Sequence, residues 1–283
     1  MQHTSIKYNS IQSRYRQLIA GWILAACIVT TACKSPYHSL VKSYKQLNTD
    51  ERRIADTLLT SAFDHEALYT LADTLKPMSS VKLYRLPIFS TDAVQCDSAI
   101  KAMQQLQHVV NKLSFGDFAF ILNPFEQRDS IYKHLEVYVL RKSRLQSLLR
   151  TQSSFYSQLG ITENALPATV LAVTEYEGKY NRWRSYGYLF GYPSYAVDFF
   201  VTAGKQQDST GQFVKRDFFH IPVYAGNAGY FTYAVPKGYK VGTADSLLYK
   251  QAKHTLEYYK KVRAKHYPNR YHLPVKIWRR LIN

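Results

Sequence analysis

Along most of this chain apolar residues recur every three or four positions, the spacing that gives a helix one buried face. Ile54, Leu58, Leu59 and Ala62 do so behind Asn48, Thr49 and Asp50, all suited to cap a helix start. The pattern continues over 64–75 and stops at Lys76-Pro77, because a proline pushes the residue before it out of helical conformation. Asp97 is placed to cap a helix through Ile100, Met103, Leu106, Val110 and Leu113, and Ser143 one through Leu145, Leu148, Phe155 and Leu159, ended by Gly160. Further helices are expected over 167–180, from Pro193 to a stop at Gly204, and over 245–265, where Leu248, Ala252, Leu256, Tyr259 and Val262 share a face. Residues 206–212 read as a polar loop. Shorter stretches at 80–86, 118–122 and 135–140 alternate or are rich in β-branched and aromatic residues and predict strands. Residues 218–223 and 230–235 flank a Gly- and Asn-containing turn and predict a hairpin. Helices and strands follow in mixed order without a regular βαβ alternation. The expected fold is therefore α+β, with helices packed on a small, largely antiparallel sheet.

The N-terminus has a different pattern. Residues 1–17 are polar and basic, 18–32 (LIAGWILAACIVTTA) hold no charge, and Cys33 is followed by the polar KSPYHS. This layout predicts a signal peptide over 1–32. An uncleaved anchor is the alternative, although a spanning helix needs about 20 apolar residues. Small residues precede a cysteine twice, in Leu24-Ala25-Ala26-Cys27 and Thr30-Thr31-Ala32-Cys33, and both resemble the lipobox of bacterial lipoproteins. Leu24 fits that motif better than Thr30, but Cys33 leaves the fuller apolar region and a polar mature start. The resemblance implies lipidation at Cys33, with Cys27 the alternative, and an anchor in the bacterial cell envelope. Lys34 stands where inner-membrane lipoproteins often carry Asp, which implies the outer membrane, facing the periplasm. Residues 33–48 are then expected to be a lipid-proximal tether, and 49–283 one globular domain. HEALYTLADTLKPMSS and YLFGYPSYAVDFF also resemble stretches of uncharacterised bacterial proteins, which carries no activity with it.

Charge changes the picture of partners. The formal net charge is +17, and from Lys250 onward ten Lys or Arg face the single acid Glu257. In an exported protein that basic end argues for anionic lipid or polysaccharide and against nucleic acid. After the last predicted helix, Leu273, Ile277 and Leu281 recur every four residues, widened by Trp278 and Ile282. That face must either dock on the domain or lie at a membrane. With Cys33 lipidated, Cys96 is the only mature thiol and no disulfide can form.

Candidate chemistry is sparse. The sequence contains no GxSxG, phosphate-binding loop, HExxH or CxxC, so neither a metal nor a cofactor is expected. His65 and Glu66 form the densest polar cluster and are the catalytic candidates of the alternative reading, an envelope hydrolase. A zinc helix would need a second His where Tyr69 stands, and an ordinary helix start capped by Asp64 is the other reading. Basic and aromatic residues interleave over 179–193. There Arg182, Trp183, Arg184, Tyr188 and Tyr192 are ligand-binding candidates, able to stack on sugar rings or to grip an anionic headgroup. The functional expectation is a membrane-anchored envelope lipoprotein that binds a ligand or partner without catalysis.

Overall fold

A computed structural model describes residues 36–226, 230–266 and 273–282. The expected leader, Cys27 and Cys33 lie outside the described residues. The chain folds as α+β. Helices α1 (Pro36–Lys45), α2 (Thr49–Asp64) and α3 (Leu68–Leu71) precede strand β1 (Met78–Leu86), followed by α4 (Ala93–Leu113), β2 (Phe118–Arg128) and β3 (Lys133–Arg141). Then come α5 (Lys142–Thr151), α6 (Ser153–Tyr156), α7 (Pro167–Tyr176), α8 (Lys179–Leu189) and α9 (Ser194–Thr210). Strands β4 (Arg216–Pro222) and β5 (Tyr230–Pro236) and helices α10 (Thr243–His266) and α11 (Leu273–Ile282) complete the described chain. The three-stranded sheet has the order β1-β3-β2 and is antiparallel throughout, and β4 and β5 pair as the predicted hairpin, with Phe218 opposite Ala234.

Strand alternation gives the central sheet two covered faces. Val81, Phe118, Phe120, Leu122, Leu135, Val137 and Val139 point to a front core shared with α1, α2, α4, α10 and α11. Met78, Tyr138 and Leu140 point to a back core with α5, α7, α8 and α9. The hairpin lies between α9 and α10. At the start of α10 the Asp245 carboxylate accepts hydrogen bonds from the hydroxyls of Tyr195, Tyr233 and Tyr239 and from the Gly242 N–H, tying α9, the hairpin and α10 together.

Several expectations are corrected. The segment read as a tether is folded from Pro36, since α1 buries Leu40 and Tyr44, with Leu47 just beyond it, against the front core. The domain therefore begins before residue 49. Asp64 starts no helix: α2 ends there, and its carboxylate accepts from Tyr259 Oη at 2.6 Å and pairs with Arg263 at 2.8 Å. Asp92 rather than Asp97 caps α4. The helix expected over 167–180 breaks at Glu177-Gly178 into α7 and α8. Helix α9 runs through Gly204 and the supposed loop to Gly211, whose left-handed φ of 69° ends it. The C-terminal segment docks on the domain: α11 buries Val275, Ile277, Leu281 and, completely, Trp278, whose ring meets Phe63, Phe115, Phe118 and Phe120. Among the described residues no helix is long and apolar enough to cross a membrane.

Candidate functional site

His65 and Glu66 sit in the tight turn after α2. His65 Nδ1 lies 2.9 Å from the Ser61 carbonyl, and Glu66 carries an ion pair to Lys76 Nζ at 2.5 Å. Lys76 is wholly buried, with its ammonium 4.3 Å from the centre of the Phe231 ring and 5.3 Å from that of Phe190. Burial holds the Lys76 amine below its usual range, opposed by the Glu66 charge. Glu66 is thus committed to compensating a buried cation. Among the described residues no three of His, Cys, Asp and Glu converge as a metal site.

The polar and aromatic groups that do converge lie behind the sheet. A cleft of about 400 Å³ opens between the back of β2–β3 and helices α7 and α8. Alternation on β3 puts Leu135 and Val137 in the front core, so Glu136 and Tyr138 face backwards into this cleft. Helix α7 supplies Glu175, and α8 supplies Arg182, Trp183 and Tyr186, with Phe190 just past its end. The aromatic rings are in register: Tyr186 stacks on Phe190 at 5.7 Å and 17° and on Tyr138 at 6.3 Å and 30°.

The two carboxylates are held differently. Glu175 is buried and accepts hydrogen bonds on both oxygens, from the Glu126 N–H at 2.9 Å and from the Tyr186 hydroxyl. Glu136 faces the hydroxyls of Ser80 and Tyr138. Burial raises its carboxyl above the usual carboxylate range, and the charges of Glu66 and Glu175 push the same way. Across the strand pair, Asn123 stands directly opposite Glu136 and therefore on the same face. Asn123 is 5% exposed, and its Nδ2 has no hydrogen-bond partner. A buried amide donor without an acceptor costs free energy, and Asn123 is not among the residues that line the cleft.

No protein-family model, characterised protein or solved structure matches this chain.

Of the sequence candidates over 179–193, Arg182 and Trp183 line the cleft while Arg184 does not. Arg182 donates to the Glu126 carboxylate and, at 3.1 Å, to the Glu175 carbonyl. Arg184 projects from another side of α8 and pairs with Asp198 and the Tyr188 hydroxyl. Both guanidiniums already have carboxylate partners, so neither offers an uncompensated charge to an anionic headgroup. Tyr188 belongs to the back core, and Tyr192 stacks on Phe231 at 5.8 Å. Glu136, Glu175 and Tyr186 were missed by sequence reasoning. The available signal was a Glu inside an apolar strand whose two faces are both covered. A larger hollow of about 610 Å³ between α4 and the sheet carries, among the described residues, Lys133 as its only charged lining residue and no carboxylate.

Proposed function

We propose that this protein is a lipid-anchored component of a bacterial cell envelope that binds a saccharide in the cleft behind its sheet, without catalysing its turnover. The observation that carries this reading is a cleft in which the carboxylates of Glu136 and Glu175 stand beside the rings of Trp183, Tyr186 and Phe190. Sugar rings present apolar C–H faces that pack on Trp183, Tyr186 and Phe190. Their hydroxyls both donate and accept, which suits the planar carboxylates of Glu136 and Glu175 and the amide of Gln127 that line the cleft. An anionic ligand would meet two carboxylates with Arg182 already paired. Glycoside hydrolysis also uses two carboxyls, one of raised pKa, and Glu136 fits the acid. Glu175, however, spends both oxygens on Glu126 and Tyr186, which suits a fixed acceptor better than a nucleophile or base.

Two measurements test this reading. Titration calorimetry of the full chain carrying Cys27→Ser and Cys33→Ser against glucose, galactose, N-acetylglucosamine and maltose should give saturable binding to at least one, weakened about tenfold or more by Glu136→Gln. Release of nitrophenol from the corresponding nitrophenyl glycosides should stay at the blank rate, and turnover lost in Glu136→Gln would instead establish the hydrolase. Anchoring is tested by fatty-acyl labelling, which Cys33→Ser should abolish; loss in Cys27→Ser alone would move the lipid to that residue.

A further inference from the structure

A second cavity, of about 300 Å³, adjoins the saccharide cleft on the other side of α8. Its remaining walls come from α9 and the outer face of the β4–β5 hairpin, with Val197, Phe200, Ala234 and Phe218 among them. Among the described residues no charged one lines it. Trp183, Tyr186 and Phe190 line both cavities, so one aromatic ridge forms the boundary between a polar and an apolar compartment. The ridge is held in place from behind. A Cβ on Gly204 would stand 2.4 Å from the Trp183 ring, so only glycine in α9 lets that indole lie against the helix, where it also meets Phe200 at 5.2 Å.

We infer that the natural ligand is an amphiphile, a saccharide head carrying an alkyl or acyl chain, with the head in the polar cleft and the chain crossing the ridge into the apolar cavity. This rests on the saccharide reading of the cleft and adds the chain. An open apolar hollow is unfavourable in water, and covering it with methylenes gains free energy for each carbon buried. Continuity across three shared side chains assigns that chain to the same molecule as the head. Thr232, half-buried on the outer face of β5, lines the apolar cavity, whereas Glu136 lines only the polar one, so each end can be altered without touching the other.

The experiment compares decyl β-glucoside, decyl β-galactoside, decyl N-acetyl-β-glucosaminide and decyl β-maltoside, each below its micelle concentration, with the corresponding free sugars and with decyltrimethylammonium. Calorimetry uses the full chain carrying Cys27→Ser and Cys33→Ser. At least one decyl glycoside should bind ten times or more tighter than its free sugar. Thr232→Phe, which fills the apolar cavity from a partly exposed position, should remove that advantage and leave free-sugar affinity unchanged. Glu136→Gln should weaken glycoside and free sugar by the same factor. Equal affinity for sugar and glycoside, or an advantage that persists in Thr232→Phe, would overturn the chain while leaving the saccharide cleft standing. If no sugar or glycoside binds, or Glu136→Gln changes neither, the saccharide reading falls and the inference with it. Decyltrimethylammonium binding as tightly as the best glycoside would replace the saccharide head by a cation. Circular dichroism and thermal melting of both variants exclude misfolding as the cause of a loss.

Discussion

Glu136 is held where its own ionisation works against folding. Its carboxyl titrates higher in the folded protein than at the ordinary 4.5, so the folded state binds that proton more tightly than the unfolded chain does. The corresponding stability is fully present below about pH 4.5 and is lost as pH rises through the folded value. Glu136→Gln stays neutral at every pH. It should therefore melt higher than the parent at pH 7, with the gap shrinking toward pH 4, while saccharide binding weakens. Thermal melts at the two pH values check this, and a gap independent of pH would contradict it. Lys76 and Glu66 have the opposite character, a buried pair whose rupture leaves an ammonium without a counter-charge. Glu66→Gln should cost about 3–5 kcal/mol, and adding Lys76→Met should restore most of it, because an apolar pair of similar volume suits that interior. Urea midpoints of the two variants give the comparison.

At the scale of elements, α11 and α9 show how neighbouring helices depend on single side chains. Trp278 is completely buried among four phenylalanine rings, so Trp278→Ala should lower stability by about 3–5 kcal/mol. Removing 271–283 should destabilise the domain by at least as much. An unchanged melting temperature would mean that α11 is dispensable for the front core. On α9, Gly204→Ala adds a methyl into the Trp183 ring. The indole must move off the ridge, so its fluorescence should shift and decyl glycoside binding should fall, while the distant front core keeps its packing. Trp183→Phe supplies the control for which tryptophan reports.

At the scale of the molecule, charge and the cleft are segregated. Lys253, Lys260, Lys261, Lys276, Arg279 and Arg280 are exposed on α10 and α11, which pack on each other. The cleft behind the sheet instead holds Glu136 and Glu175. A basic side of this kind is attracted to anionic lipid by about 1 kcal/mol per charge near the surface, screened by salt. Binding of the Cys27→Ser, Cys33→Ser chain to vesicles containing anionic lipid should therefore fall steeply between low and physiological salt. Lys253→Glu with Lys261→Glu and Lys276→Glu should weaken it without moving the melting temperature, since none of the three is buried. Sedimentation with vesicles gives the readout, and salt-independent binding would assign the contact to apolar insertion.

The sequence by itself determined most of the elements: the hairpin, the three strands of the central sheet, the helix of the basic C-terminal end and the apolar face of α11. These follow from spacing, which is a local property of the chain, and from caps and stops within a few residues. Where local spacing misled, a tertiary partner had taken over the residue. Asp64 looked like a helix cap and pairs with Arg263, Gly204 looked like a stop and makes room for Trp183, and the tether carried the core residues Leu40 and Tyr44. The cleft was decided by tertiary structure alone. Strand alternation turned Glu136 and Tyr138 to the back of the sheet, and packing of α7 and α8 there brought Glu175 and Tyr186 to them. Arg182 and Arg184, adjacent in a basic and aromatic run, parted because two residues along a helix turn through about 200°. Residues far apart in sequence meet only when the core closes, and periodicity holds no record of which pairs those will be.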